Sequence, residues 1–273
     1  LLPVPQDPNV AFEIWFKVGS QDDPPGKEGL PALVGQMISD GGTQKRSYDE
    51  ILAALFPMAA GYRVSVDKEM TVVSGRVHRD HVEQFYALLS DALLRPGFRQ
   101  EDFTRIRDAM VSGIENTLRY SYDEELGKAA LYAQVFDGTP YAHIEDGTVA
   151  ALKAITLEDV GSFWSSHFTR DNCVLGLGGA YSEKLLARVQ SDLAQLAGGK
   201  PAPTPAPEPE QITGRKVLIV EKPGPSTAIS FGYPIDVHRG SREYYALWIA
   251  NSWLGEHRNS SSHLYQVIRE ARG

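Results

Sequence analysis

Hydrophobic and polar residues alternate near the start of the chain. Between Asn9 and Val18 every second side chain is apolar, at Val10, Phe12, Ile14, Phe16 and Val18. Side chains two residues apart in an extended chain point to the same face. The segment therefore predicts a half-buried β-strand with one face in a core.

A short helix is predicted after this strand. Apolar residues recur at helical spacing, at Leu30, Leu33, Val34 and Met37. Residues three and four apart share one side of an α-helix, so this side is expected to pack inward. A second side of the same helix carries Ala32, Gly35 and Gln36.

The same periodicities predict the other elements. Strands are expected over residues 62–66, 70–77 and 172–179, and helices over 48–55, 80–94, 100–118, 124–136, 157–168 and 183–197. The order restarts later in the chain, with strands expected over 216–221 and 227–233 and helices over 243–254 and 261–269. Strands and helices in blocks, without strict alternation, indicate an α+β fold.

A proline-rich stretch divides the chain. Residues 198–214 begin with two glycines and continue through closely spaced prolines and alanines, a composition that disfavours both helix and sheet. We therefore predict an N-terminal domain at 1–197, a linker at 198–214, and part of a C-terminal domain at 215–273.

Composition excludes some classes of protein. The 273 residues are 42% hydrophobic, and no apolar run reaches the length of a membrane span. The net charge of −8, from 35 acidic and 27 basic residues, argues against nucleic-acid binding, which requires a basic surface. The single cysteine, Cys173, lies in an apolar run and is expected to be a packed thiol.

One motif frame carries a resemblance. The strand is followed by Gly19-Ser20, an acidic loop, Gly29-Leu30, the short helix and Gly42-Thr43. This order resembles the N-terminal domain of the M16 (insulinase/pitrilysin) family of zinc metallopeptidases. The resemblance implies two similar α+β halves, of which this chain contains the first and an incomplete second. We expect the chain to be a piece of a longer protein.

The resemblance also implies where a zinc site would lie. The family's helix carries His-x-x-Glu-His, in which two imidazoles bind Zn²⁺ and the carboxylate takes a proton from the metal-bound water. In this frame the first His falls at Ala32, the Glu at Gly35 and the second His at Gln36. The third ligand, a Glu on a later helix, falls at Gly113. The chain is thus expected to bind no metal or cofactor itself.

A replacement metal site has one candidate. His78, His81 and Glu83 form the only compact cluster of such residues, and no two histidines stand four apart. The structural interpretation is preferred, because these residues open a predicted helix for which Asp80 is the expected N-cap. The acidic loop residues Asp22, Asp23 and Glu28 are expected to be solvated.

Arg269 is the candidate functional residue. It lies in a segment that begins at Ser260 and is similar to the family's Ser-Arg-Leu-Phe-x-x-Ile-Arg-Glu-x-x-Gly, with His263 in place of the usual Arg. In the family an Arg at this position, with a Tyr seven residues later, holds the substrate backbone and the developing oxyanion. That Tyr would fall beyond Gly273.

The resemblance implies a subunit that is not a zinc peptidase on its own. It would pair with an M16 homologue that has an intact His-x-x-Glu-His motif and carries the zinc, and it would supply Arg269 to a peptide substrate. A purely structural M16 homologue with no role in proteolysis is the alternative. By family analogy a bacterial, periplasmic location is favoured.

Overall fold

The alternating segment at the start of the chain is the middle strand of a five-stranded sheet. In the computed structural model, which describes residues 1–208, 212–223, 227–255 and 259–273, the strands are β1 (Leu2–Pro3), β2 (Asn9–Phe16), β3 (Gly61–Val66), β4 (Thr71–His78) and β5 (Cys173–Gly179). Their order is β1-β5-β2-β4-β3. The β1–β5 pair is parallel and the other pairs are antiparallel, so the sheet is mixed.

One face of the sheet forms the core, as the alternation predicts. Val10, Phe12, Ile14 and Phe16 of β2 are all buried. Phe12 lies opposite Gly75 of β4, and its ring is 5.8 Å from that of Phe85. A β-carbon at Gly75 would lie 2.6 Å from the Phe85 ring, so the missing side chain there makes room for an aromatic residue.

The described residues also form nine α-helices. Their bounds are α1 (Leu30–Ser39), α2 (Tyr48–Leu55), α3 (Val82–Leu94), α4 (Gln100–Ser112), α5 (Asp123–Val135), α6 (Val149–Ala154), α7 (Leu157–His167), α8 (Glu183–Leu193) and α9 (Arg242–Gly255). Strands and helices together confirm the predicted α+β class. No helix in the described ranges is long and apolar enough to cross a bilayer.

Two predicted strands are wrong. Neither 216–221 nor the described residues 227–233 form a strand. Ile229 and Phe231 are 82% and 87% exposed, although their apolar alternation is real. Lys222 instead donates hydrogen bonds to the carbonyl oxygens of Arg119 and Tyr120, each at 3.1 Å. A strand needs a neighbour that pairs with its backbone, and alternation alone does not supply one.

The predicted helix over 100–118 changes type at Gly113. It is α-helical to Ser112 and continues as a π-helix over Gly113–Ser121. Glycine is a poor helix former, so it is a favourable place for regular α-helical geometry to end. A second π-helical segment, Tyr265–Glu270, contains Arg269. The predicted N-cap at Asp80 is also wrong, because the residue before α3 is His81.

The chain separates into two compact units. The first contains residues 1–207 and 216–232, and the second contains 208–215 and 233–273. The first includes the whole sheet and helices α1 to α8, and the second includes α9 and the π-helix with Arg269. The domain boundaries at 197 and 215 stay a prediction.

A glycine contact fixes one loop against the start of α1. Gly147 has φ +80°, and a β-carbon on it would lie 1.9 Å from the carbonyl oxygen of Glu28. The next residue, Thr148, donates its backbone N–H to the same oxygen at 3.4 Å. Residues 143–147 are therefore held beside Gly29, the N-cap of α1.

We expect Gly147→Ala to destabilise the protein by more than about 2 kcal/mol, because it adds a steric clash to an unfavourable positive φ. Gly138→Ala is the matched control, since Gly138 has φ +72° but nothing within 4 Å of its β-carbon position. The control should cost only the conformational penalty, about 1 kcal/mol. Chemical denaturation measures both, and equal losses would show that the Glu28 contact contributes nothing.

Candidate functional site

The acidic loop holds the N-terminus of α1. The N-cap, Gly29, has φ +101° and no side chain to accept the free N–H groups of the first turn. Asp23 accepts them instead, at 3.0 Å from the nitrogen of Gly29 and 2.9 Å from that of Leu30. The Asp23 side chain is only 3% exposed, so the expectation that this carboxylate is solvated is wrong.

Burial sets the charge state of this carboxyl. Desolvation raises the pKa of Asp23 to about 7, while the hydrogen bonds from Gly29 and Leu30 and the nearby Lys68 ammonium oppose that rise. The imidazole Nε2 of His143 lies 3.7 Å from Oδ2 of Asp23. Lys68 also pairs with Glu145 at 3.2 Å and donates to the carbonyl oxygen of His143. Loop 143–147 and the acidic loop thus meet through a charged cluster.

The three motif positions on α1 offer no metal ligands. Ala32 and Gly35 are buried and Gln36 is half-buried. Alanine and glycine have no donor atom, and an amide is not a ligand from which zinc sites are normally built. A β-carbon at Gly35 would lie 3.0 Å from Cγ1 of Val64 and 3.2 Å from Cγ2 of Val66 on β3. The residues present therefore do not fit a zinc ion.

Gly113 borders a cavity of about 620 Å³ in the first unit. Its lining also includes Lys68, Tyr122, Tyr132, His143 and Glu145. Glu115, the carboxylate nearest to Gly113 in sequence, pairs with Lys153 at 3.1 Å and does not line the cavity. The cavity combines aromatic surface with charged groups, as sites for organic ligands do.

The alternative cluster has structural contacts. His78 Nδ1 accepts the backbone N–H of Asp80 at 3.3 Å, and Glu83 pairs with Arg188 at 2.7 Å. Among the residues that the structure describes, no three His, Cys, Asp or Glu side chains are placed to share a metal ion.

Arg269 lies on the second unit. It is exposed, and its guanidinium carbon is 5.3 Å from the centre of the Tyr265 ring four residues earlier. Within the described ranges it forms no ion pair. An arginine stacked on an aromatic ring keeps its planar set of donors free for a carbonyl or carboxylate.

Sequence reasoning missed Asp23 and the two valines. A helix that begins with glycine lacks a side-chain cap, so a nearby Asp could have been considered as its replacement. The approach of Val64 and Val66 to Gly35 had no such signal, because it depends on how the helix crosses the strand.

Two family models match the chain. The model described as insulinase, peptidase family M16, matches residues 3–144, and the model described as the peptidase M16 inactive domain matches residues 154–273. Together they cover nearly the whole chain and agree with the resemblance read from the motif frame.

Relatives agree with these models. An uncharacterised zinc protease of Streptomyces coelicolor is 26% identical over 99% of this chain and 59% of its own length. A probable mitochondrial processing peptidase subunit beta of Arabidopsis thaliana is 22% identical over 76% of this chain and 39% of its own length. The chain thus spans less than two thirds of these proteins.

A solved structure shows the same fold. The peptidase M16 inactive domain from Pseudomonas fluorescens superposes with a TM-score of 0.75, at 22% identity, over 100% of this chain and 65% of its own.

The charged cluster predicts a pH dependence. Burial raises the pKa of the Asp23 carboxyl from its ordinary value of 3.8 to about 7 in the folded chain. Between these values the folded chain binds more protons than the unfolded chain. The free energy of unfolding should therefore fall as pH rises from about 4 to 7, by up to about 1.4 kcal/mol per pH unit from this group.

Asp23→Asn removes this titration, and it also exchanges one acceptor of the helix N–H groups for a donor. The variant should be less stable at low pH, and its stability should fall less steeply between pH 4 and 7. Urea denaturation across this range measures both slopes. An unchanged slope in the variant would contradict the assignment to Asp23.

Proposed function

The chain belongs to the M16 (insulinase) family of peptidases, and from this premise we propose that it is a non-catalytic subunit that pairs with a zinc-bearing homologue. The partner would carry an intact His-x-x-Glu-His motif. This chain would hold the peptide substrate while the partner cleaves it. The observation that carries the proposal is that the four motif positions lack ligating side chains, while Arg269 is exposed and has no ion pair among the residues that the structure describes.

Arg269 would act on the carbonyl group under attack. Zinc in the partner would activate the attacking water. As negative charge develops on the carbonyl oxygen, a guanidinium can donate hydrogen bonds to it and stays charged at every relevant pH. Stacking on Tyr265 limits the rotamers of Arg269, so less side-chain entropy is lost when the substrate binds.

The cavity beside Gly113 would hold a different part of the peptide. Tyr122 and Tyr132 provide apolar faces with polar tips, which suit side chains of varied character. Lys68 and Glu145 provide charges of both signs. The surface is suited to binding a peptide, and none of these groups needs to act as nucleophile or base.

Pairing is supported by similarity to a protein that is itself a subunit. The Arabidopsis relative is named as the beta subunit of a processing peptidase. In such an arrangement one chain can lose its metal ligands without loss of the shared activity. That would account for losses at Ala32, Gly35, Gln36 and Gly113 alongside retention of Arg269.

The test mixes the full-length protein with a His-x-x-Glu-His homologue from the same source and measures peptide hydrolysis. We expect no hydrolysis by this chain alone and clear hydrolysis by the mixture. Arg269→Ala should lower the rate of the mixture about 100-fold, the usual effect of removing one oxyanion donor. Arg269→Lys should retain part of the rate, because it keeps the charge but loses the planar fork.

Arg272→Ala is the matched control, since Arg272 is also exposed and lies three residues later. It should change the rate little. If no such homologue is activated by the wild-type protein, the structural-homologue alternative is favoured. If Arg269→Ala and Arg272→Ala behave alike, Arg269 has no special role.

A further inference from the structure

The two lost glutamate positions have different surroundings. At Gly113 a β-carbon would meet nothing within 4 Å, and the position lies beside the cavity. At Gly35 a β-carbon would be tight against methyl groups of both Val64 and Val66. One position is open and the other is filled.

The pairing of β3 with β4 places both valines on one face of the sheet, where they meet Gly35. Val64 and Val66 lie opposite Val73 and Thr71 of β4, so both valines point to the same face of the sheet. Gly35 is in the middle of α1, which packs on that face. Valine has two branches on its β-carbon and few rotamers, so its methyl groups cannot easily turn aside.

We infer that Val64 and Val66 occupy the space that the general-base side chain would need at position 35. Their packing therefore opposes the return of a catalytic carboxylate at this position. The β-carbon of a glutamate there would already require the valine methyl groups to move by a few tenths of an ångström. The structure therefore accommodates the return of a carboxylate at Gly113 but opposes its return at Gly35. The chain cannot regain the reactive face by restoring that residue alone.

The low helix propensity of glycine agrees with a packing role for Gly35. Glycine in a helix interior is destabilising relative to alanine, because it has more conformational freedom to lose. A mid-helix glycine is consistent with a packing requirement where a neighbouring chain approaches closely. At Gly35 the approach of the two valine methyl groups provides that requirement.

This inference rests on the proposed function and deepens it. If position 35 cannot accept a glutamate, this chain would always be the non-catalytic member of its pair. It does not depend on finding the partner, because its evidence lies within the first unit. Its test therefore uses the full-length protein alone.

The experiment is a mutant cycle at position 35. Gly35→Glu is made in the wild-type chain and in a chain with Val64→Ala and Val66→Ala, and thermal midpoints are measured by circular dichroism. In the wild-type background we expect Gly35→Glu to lower the midpoint by roughly 5 °C or more, as overpacking does. In the chain with both valines changed to alanine, called the trimmed background, the same substitution should lower the midpoint clearly less.

Two further variants complete the test. Gly113→Glu is the matched control, and in the wild-type background it should lower the midpoint far less than Gly35→Glu does. If Gly35→Glu does not fold, Gly35→Ala replaces it, since alanine adds only the β-carbon and should be better tolerated after trimming. An equal cost of the position-35 substitution in both backgrounds would overturn the inference, as would equal costs of Gly35→Glu and Gly113→Glu.

Discussion

The close approach of α1 to the edge strand β3 is the contact on which the rest of this structure depends. It is possible because Gly35 has no side chain where Val64 and Val66 meet the helix. The other end of the arrangement is the start of α1, where the buried Asp23 accepts the free N–H groups of Gly29 and Leu30. Helix, strand and acidic loop are thus joined by contacts among their own residues.

This arrangement bears on how an M16 scaffold can persist without zinc ligands on α1. In an M16 chain with an intact motif, the face of α1 that carries positions 32, 35 and 36 would be a reactive surface. Here it consists of two buried small residues and a half-buried amide. Packing contacts occupy this face, while the cavity beside Gly113 has aromatic and charged groups suited to a ligand. A cavity of this kind beside a helix face without metal ligands is what the proposed non-catalytic subunit requires.

Much of the fold follows from local sequence patterns. Alternation in β2 and the helical spacing in α1 are correct, because each reports which side chains face a core and the core exists where predicted. The same alternation fails at 227–233, where the residues have the pattern of a strand but form none. Periodicity describes the faces of a segment, whereas strand formation also depends on a partner that the segment itself does not reveal.

The candidate site divides in the same way. The absence of ligating side chains at Ala32, Gly35 and Gln36 can be read from residue types once the motif frame is recognised. The sequence does not reveal the burial of Asp23, because acidic loops are usually solvated. Nor does it reveal that Asp23 pairs with His143, more than a hundred residues away. The filling of position 35 is also beyond sequence reasoning, since it depends on the crossing of a helix over a strand.

The most direct test of the central claim is the zinc affinity of the full-length protein on its own, measured by equilibrium dialysis against buffered free zinc. The account predicts no stoichiometric binding, because the four motif positions offer no ligands and position 35 is filled by valine methyl groups. One tightly bound zinc ion per chain, lost only to a chelator, would contradict the account and require a metal site elsewhere in the protein.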